Sequence, residues 1–154
     1  MQYKMYFMKT KLVKLITSLL VLLFVYAGLI KLFDHANFEL QLAKSPFMLG
    51  MSSLVSWLLP LSELAVVGLL LFEKTRLIAL YCSFFMMVLF TAYIIGILNF
   101  SYYIPCSCGG VLNSLGWNEH LIFNAFFVII SLIGIILQKR LNIEGLRPAT
   151  PQFG

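Results

Sequence analysis

Two cysteines one residue apart, Cys106 and Cys108, stand in the only polar stretch of the second half of a strongly apolar chain. A disulfide between residues i and i+2 forms only where the backbone brings the two Cα atoms within about 6.8 Å of each other. So short a loop contributes little chain entropy as a structural cross-link, and a strained disulfide is easily reduced. The pair therefore predicts thiol–disulfide redox chemistry.

Two other interpretations of the cysteine pair stay open, namely a passive disulfide and two thiols without a task. A zinc site needs four ligands, and only His120 is an obvious third ligand nearby, so we predict no metal site. The remaining cysteine, Cys82, lies in the middle of an apolar run and reaches neither loop. A single cysteine cannot form the second cysteine pair that electron relay within the membrane would need.

The start of the last apolar run carries a second group of candidates. Trp117, His120 and Asn124 are spaced i, i+3, i+7 and share one helical face, which Ser131 continues. Such a face on an apolar helix should point into a bundle rather than at lipid. His120 could hold a nearby thiol as thiolate or shuttle its proton, and Trp117 and Asn124 are candidate cofactor-binding residues. Alternatively, Trp117 is an interfacial residue and Asn124 an interhelical hydrogen bond.

Glu63 lies near the middle of the second apolar run. A carboxylate at bilayer depth is costly, so we expect it to be functional or paired, either as a proton relay or in a structural hydrogen bond. Pro60 removes a backbone donor one turn away and can open a polar niche. No basic residue inside a predicted span is expected to meet Glu63. Lys31 is interpreted as a membrane-edge anchor or as a partner of Asp34.

The elements that must position these residues are membrane spans. The 154 residues are 61% hydrophobic and 11% charged, whereas soluble domains are about 25% charged. The apolar residues form runs near the length of about 20 residues that crosses a hydrocarbon core. We predict an all-α integral membrane protein, an antiparallel bundle of four transmembrane helices, whose first helix is retained rather than cleaved as a signal peptide. The predicted spans are about 12–30, 54–72, 77–98 and 121–137, within a domain of residues 1–138 that precedes a cytoplasmic tail of residues 139–154.

The basic residues mark the ends of the apolar runs. The net charge of +5 is not gathered into a patch, so no nucleic-acid partner is expected. Nine of the eleven Lys and Arg residues fall on one side of the predicted spans, and Lys31 and Lys44 fall on the other. The positive-inside rule then predicts a multi-pass membrane protein with both termini cytoplasmic and the cysteines outside. Part of the 34–53 loop is expected to form an amphipathic helix at the interface.

Four segments resemble the MauE branch of the DoxX-like membrane proteins. They are Tyr26-Ala-Gly-Leu-Ile-Lys-Leu-Phe-Asp34, Leu59-Pro-Leu-Ser-Glu-Leu-Ala-Val-Val-Gly68, Pro105-Cys-Ser-Cys-Gly-Gly110 and Trp117-Asn-Glu-His-Leu-Ile-Phe-Asn124. The resemblance implies a four-helix bundle with a thiol pair on its outer face and a link to disulfide formation in periplasmic enzymes. It also implies functional roles for Cys106, Cys108 and Glu63, and for His120 and Asn124.

Two functions follow as hypotheses. In the first, the chain is a membrane thiol–disulfide redox protein that exchanges disulfides with a periplasmic thiol protein, with quinone as the candidate cofactor. A quinone pocket is conceivable among Trp117, Phe123, Phe126 and Phe127, although aromatic residues at this density also serve plain packing. In the second, the chain is a non-catalytic accessory or assembly subunit of a larger cell-envelope complex. In both, the lipid bilayer is the immediate partner.

Overall fold

The computed structural model describes residues 2–45, 50–100 and 117–146, and these residues are almost entirely helical. Four of the five helices are long and apolar enough to cross a membrane, which confirms the predicted all-α fold of four membrane helices. The fifth is a short helix between the first two spans. In chain order the helices are α1 (Gln2–Phe33), α2 (His35–Ala43), α3 (Ser52–Leu71), α4 (Arg76–Phe100) and α5 (Trp117–Leu146).

The four long helices form a ring in which α1 and α4 each pack against both α3 and α5. Successive helices run in opposite directions, so every neighbouring pair in the ring is antiparallel. The core between them is apolar and includes the fully buried side chains of Leu20, Phe24, Leu70 and Leu80. Because lipid is as apolar as this core, the helices are held together by close packing and by polar contacts rather than by exclusion of water.

Three helices of the ring pack closely around Gly134. A Cβ atom at Gly134 of α5 would stand 3.1 Å from Ile16 Cγ2 of α1 and 3.2 Å from Leu80 Cδ2 of α4. The missing side chain therefore lets three helices meet at one level. The three residues in this contact, taken in chain order, are close in sequence to Lys14, Arg76 and Lys139, respectively. These basic residues therefore lie at the same end of the bundle.

Two helices extend well past the predicted spans. The 32 residues of α1 correspond to about 48 Å, against a hydrocarbon core of about 30 Å. The basic N-terminal residues continue the helix because Lys, Met and Gln are good helix formers. The predicted tail of residues 139–154 likewise begins inside α5, which continues to Leu146, and residues 147–154 lie outside the described residues. Lys9 Nζ and Glu144 Oε1, 2.6 Å apart, join the two extensions.

The helix predicted within residues 34–53 is present as α2. Its apolar residues Phe38 and Leu42 are buried against the bundle, while the ring of His35 packs on that of Trp57 in α3, with 4.3 Å between the ring centroids. The helix thus covers the end of the bundle where α1 stops. Its position at a membrane interface stays a prediction, and residues 46–49 of the same loop lie outside the described residues.

The connection between α3 and α4 is short, as the predicted spans 54–72 and 77–98 imply, and makes them antiparallel neighbours. Thr75 shapes it, since its hydroxyl donates to the Leu69 carbonyl oxygen at 2.7 Å and its own carbonyl accepts from the Ala79 N–H at 2.9 Å. The first hydrogen bond completes the end of α3 and the second begins α4. Arg76 and Glu73 add an ion pair at 3.5 Å.

Replacing Gly134 by Leu should destabilise the bundle by roughly 1–3 kcal/mol, because the new side chain would enter a space already filled by Ile16 and Leu80. Gly68→Leu is the matched control, since a Cβ at Gly68 meets no atom within 4 Å. Both changes place the same residue in the interior of a membrane helix. Unfolding of the purified proteins in detergent, followed by circular dichroism, measures the difference. Equal stability of the two variants would contradict the close packing described at Gly134.

Candidate functional site

An ion pair between Lys31 Nζ and Glu63 Oε1 joins α1 to α3 inside the bundle. Glu63 has no exposed surface and Lys31 is only 8% exposed. The expectation that no basic residue meets Glu63 was therefore wrong, because α1 continues through Lys31 to Phe33 instead of ending near residue 30. Lys31 is neither a membrane-edge anchor nor the partner of Asp34, whose carboxylate accepts a hydrogen bond from Asn37 Nδ2 at 2.7 Å.

The local sequences of α1 and α3 explain why these two side chains meet. Gly28 precedes Lys31 by about one turn on the same face of α1. A Cβ atom at Gly28 would stand 3.3 Å from Leu64 Cγ and 3.4 Å from Glu63 Oε2. The glycine therefore brings the backbone of α1 close to Glu63, and the long side chain of Lys31 reaches the carboxylate from the next turn. On α3, the buried Pro60 lacks an N–H and leaves one backbone carbonyl without its helical donor.

Aromatic rings from two further helices surround the ammonium group. Lys31 Nζ lies 5.3 Å from the centroid of the Phe90 ring on α4 and 6.0 Å from that of Phe38 on α2. Both distances are in the range of cation–π attraction. The second oxygen of the carboxylate, Glu63 Oε2, has no hydrogen-bond donor within the residues that the structure describes. One lysine side chain thus makes contacts with α2, α3 and α4 at once.

The polar face predicted on α5 points into the bundle, as expected. His120 and Asn124 are 6% and 5% exposed, and Ser131 is fully buried. Ser131 donates to the Phe127 carbonyl oxygen of its own helix at 2.7 Å, so its hydroxyl is satisfied locally and is not part of the site. Trp117 is the first residue of α5, but its side chain lies outside the described residues.

A cavity of about 90 Å³ brings the candidates together. Lys31, Glu63, His120 and Asn124 line it, and most of the other lining side chains are apolar. It lies in the half of the bundle where α1 ends and α5 begins. Segment 101–116, which carries Cys106 and Cys108 and joins α4 to α5, lies outside the described residues. The remaining lining residues are Leu23, Phe24, Ala27, Phe38, Leu42, Leu59, Met87, Phe90, Tyr93, Ile94, Ile97 and Phe123.

The aromatic residues around this cavity differ from those proposed for a quinone pocket. Of the three proposed phenylalanines, only Phe123 lines the cavity, whereas Phe127 belongs to the buried core and Phe126 is 51% exposed on the outside of α5. Phe126 and Phe127 are neighbours in sequence, so they face different sides of the helix. The cavity's other phenylalanines are Phe24, Phe38 and Phe90, from α1, α2 and α4.

Comparison with known protein families gives one decisive result. The family model described as methylamine utilisation protein MauE matches residues 9–137. The chain belongs to the MauE family. This confirms the resemblance noted in the four sequence segments, all of which lie inside the matched range. No curated protein and no solved structure matches the chain significantly.

Sequence reasoning missed Lys31 as a member of the site of this MauE-family protein. Two signals were present. Lys31 was one of two basic residues on the side that is poor in basic residues, and Glu63 was a carboxylate in a span without a partner. Two unexplained charges of opposite sign in neighbouring antiparallel helices indicate a pair. The predicted span of about 12–30 ends one residue before Lys31.

Lys31→Met should destabilise the protein by about 3–5 kcal/mol, because it leaves the carboxylate of Glu63 buried without its cation. Adding Glu63→Gln should recover most of that loss, since the second change removes the uncompensated charge. Detergent or thermal unfolding of the single and double variants measures both effects. Lys14→Met, at an exposed lysine of the same helix, is the matched control and should leave stability unchanged. A Lys31→Met protein as stable as this control would contradict the ion pair.

Proposed function

We propose that this MauE-family protein is a membrane thiol–disulfide redox protein in which Cys106 and Cys108 exchange a disulfide with a periplasmic thiol protein. The family is described by its role in methylamine utilisation, and we place the protein in that context. The observation that carries the proposal is the cavity lined by Lys31, Glu63, His120 and Asn124, in the half of the bundle where the cysteine segment joins α4 to α5. A polar site of this kind inside a membrane bundle is costly and marks function.

The proposed exchange is a balanced two-electron reaction. A thiolate of the partner attacks the Cys106–Cys108 disulfide and forms a mixed disulfide, which the partner's second thiol then resolves. The partner dithiol is oxidised to a disulfide, and Cys106 and Cys108 are reduced to two thiols. A quinone, the candidate electron carrier, would take two electrons and two protons from the pair, become a quinol and restore the disulfide. Electron transfer in the opposite direction would break and form the same disulfide bonds in reverse order.

The cavity residues receive their roles from this chemistry. His120 would accept the proton of a cysteine thiol and favour the thiolate, which is the reactive form. Glu63 would manage a second proton, with Lys31 holding its carboxylate in place. Asn124 and Trp117 are the proposed cofactor-binding residues. Asn124 lines the cavity with His120 and Glu63, which supports treating these three as one site.

The proposed location is a bacterial inner membrane, with both termini in the cytoplasm. The contact of Gly134 with Ile16 and Leu80 supports this orientation, because it brings the basic ends of three helices to one side of the bundle. Basic residues concentrate on the cytoplasmic side of membrane proteins. The segment with Cys106 and Cys108 joins α4 to α5 at the opposite end, which would then be periplasmic.

Thiol trapping in intact membranes tests the proposed function. Cysteines are alkylated with a mass-tagged maleimide, with and without prior reduction, and Cys82 on α4 serves as the internal reference. We expect Cys106 and Cys108 to be labelled only after reduction, with an oxidised fraction that follows the redox state of the quinone pool. A Cys106→Ser/Cys108→Ser protein should insert normally and lose function.

The opposite results would favour the second function. If both cysteines label freely, or stay oxidised at every redox setting, the pair does not cycle. If the double serine variant also retains function, the protein acts as a non-catalytic accessory or assembly subunit of a larger envelope complex. In that case changes at lipid-facing positions of the bundle would impair function instead.

A further inference from the structure

The charges in the cavity favour an uncharged ligand. Its lining contains one ammonium group, from Lys31, and one carboxylate, from Glu63, and the two neutralise each other in a direct ion pair. A charged ligand would place an additional charge in a largely apolar membrane interior, at a high desolvation cost. An uncharged molecule that dissolves in the bilayer avoids this cost and can enter from the lipid.

The walls of the cavity favour a planar ring. Phenylalanine side chains from α1, α4 and α5, namely Phe24, Phe90 and Phe123, line it together with the flexible Met87. Aromatic side chains attract another ring through stacked or edge-to-face contacts, and methionine adapts to irregular shapes and contacts rings well. An aliphatic ligand would gain area contacts here, but not this directional attraction.

The polar groups add a requirement for hydrogen bonding. Asn124 is 95% buried, being 5% exposed, and lines the cavity. A side-chain amide can donate two hydrogen bonds, and burying it is costly unless those donors find an acceptor. Lys31 also lines the cavity and offers further N–H groups, because Glu63 accepts only one of its three. A carbonyl oxygen is the uncharged acceptor that such donors fit.

The size of the cavity limits the ligand to a single ring. An engineered cavity of about 150 Å³ in another protein accepts benzene, whereas this one measures about 90 Å³. A ring can therefore enter only if a flexible lining side chain such as Met87 moves aside. Phe90 is partly exposed on the outside of the bundle, so substituents of the ring could extend past it towards lipid.

We propose that this cavity binds an uncharged, lipid-soluble ring compound through a ring carbonyl that accepts hydrogen bonds from Asn124 and Lys31. Quinones belong to this chemical class, and for its biological meaning as an electron-carrier site the inference rests on the proposed redox function. The binding itself needs only the described residues of the bundle. It also assigns a ligand-binding role to Lys31, which sequence reasoning placed outside the site.

Competition binding on the full-length protein in lipid nanodiscs tests the site. The probe is a radiolabelled short-chain alkyl benzoquinone, and the competitor is an alkylbenzene of the same chain length, which lacks the carbonyl groups. We expect saturable binding of the probe that the alkylbenzene fails to displace. Asn124→Leu should weaken binding at least tenfold, while Asn99→Leu, at an exposed asparagine of α4, should not change it.

A second variant keeps the test valid if Asn124→Leu fails to fold. Lys31→Met/Glu63→Gln removes both charges together and should remain folded, and it should also weaken probe binding. Equal displacement by the alkylbenzene would overturn the inference, because the site would then not recognise the ring carbonyl. Non-saturable binding, or unchanged binding in both cavity variants, would also overturn it and indicate partition into lipid or binding elsewhere.

The Cys106→Ser/Cys108→Ser protein separates the two proposals. We expect it to bind the probe as the unchanged protein does. If binding persists there but thiol trapping shows no cycling, the redox function fails and the site stands. If the cysteines cycle but the probe does not bind saturably, the site fails and the redox function stands.

Discussion

The ion pair between Lys31 and Glu63 is the constraint on which the rest of this bundle depends. Neither charge could be buried alone in a membrane without a cost of several kcal/mol. Their pairing fixes the rotation of α1 against α3, because the lysine must reach the carboxylate past the close approach at Gly28. It also fixes what surrounds the pair, since Phe38 and Phe90 bring α2 and α4 against the ammonium group.

An apolar core could have packed these helices without any charge, so stability alone does not account for the pair. Replacing a buried ion pair by well-packed apolar residues is often neutral or stabilising. Here the pair lies beside a cavity that also receives His120 and Asn124, in the half of the bundle where the proposed redox segment joins α4 to α5. We interpret the arrangement as a polar site that the bundle maintains for function, with Gly134 and the apolar core supplying the packing that offsets its cost.

Much of the fold could be predicted from the sequence, because membrane spans are recognised by the length and hydropathy of their apolar runs. The four helices and their antiparallel order followed from the lengths of the apolar runs and of their connections, and the inward face of His120 and Asn124 followed from helical spacing. The helix within residues 34–53 was predicted as well. The helix ends were not, since α1 and α5 continue beyond the apolar runs into residues that favour helix without being apolar. The partner of Glu63 was missed for the same reason, because the predicted span ends at residue 30 whereas α1 continues through Lys31. The aromatic residues that line the cavity could not be predicted either. They come from different helices, and only the packed structure gives the rotation of these helices relative to one another.

The central claim is that the cavity around the ion pair governs the redox state of the cysteine pair. Thiol trapping of Cys106 and Cys108 in the Lys31→Met/Glu63→Gln protein tests it most directly, with insertion and folding checked on the same membranes. The account predicts a folded protein whose cysteines no longer follow the redox state of the quinone pool. If the oxidised fraction of the pair still follows the pool as it does in the unchanged protein, the cavity has no part in the chemistry and the claim is wrong.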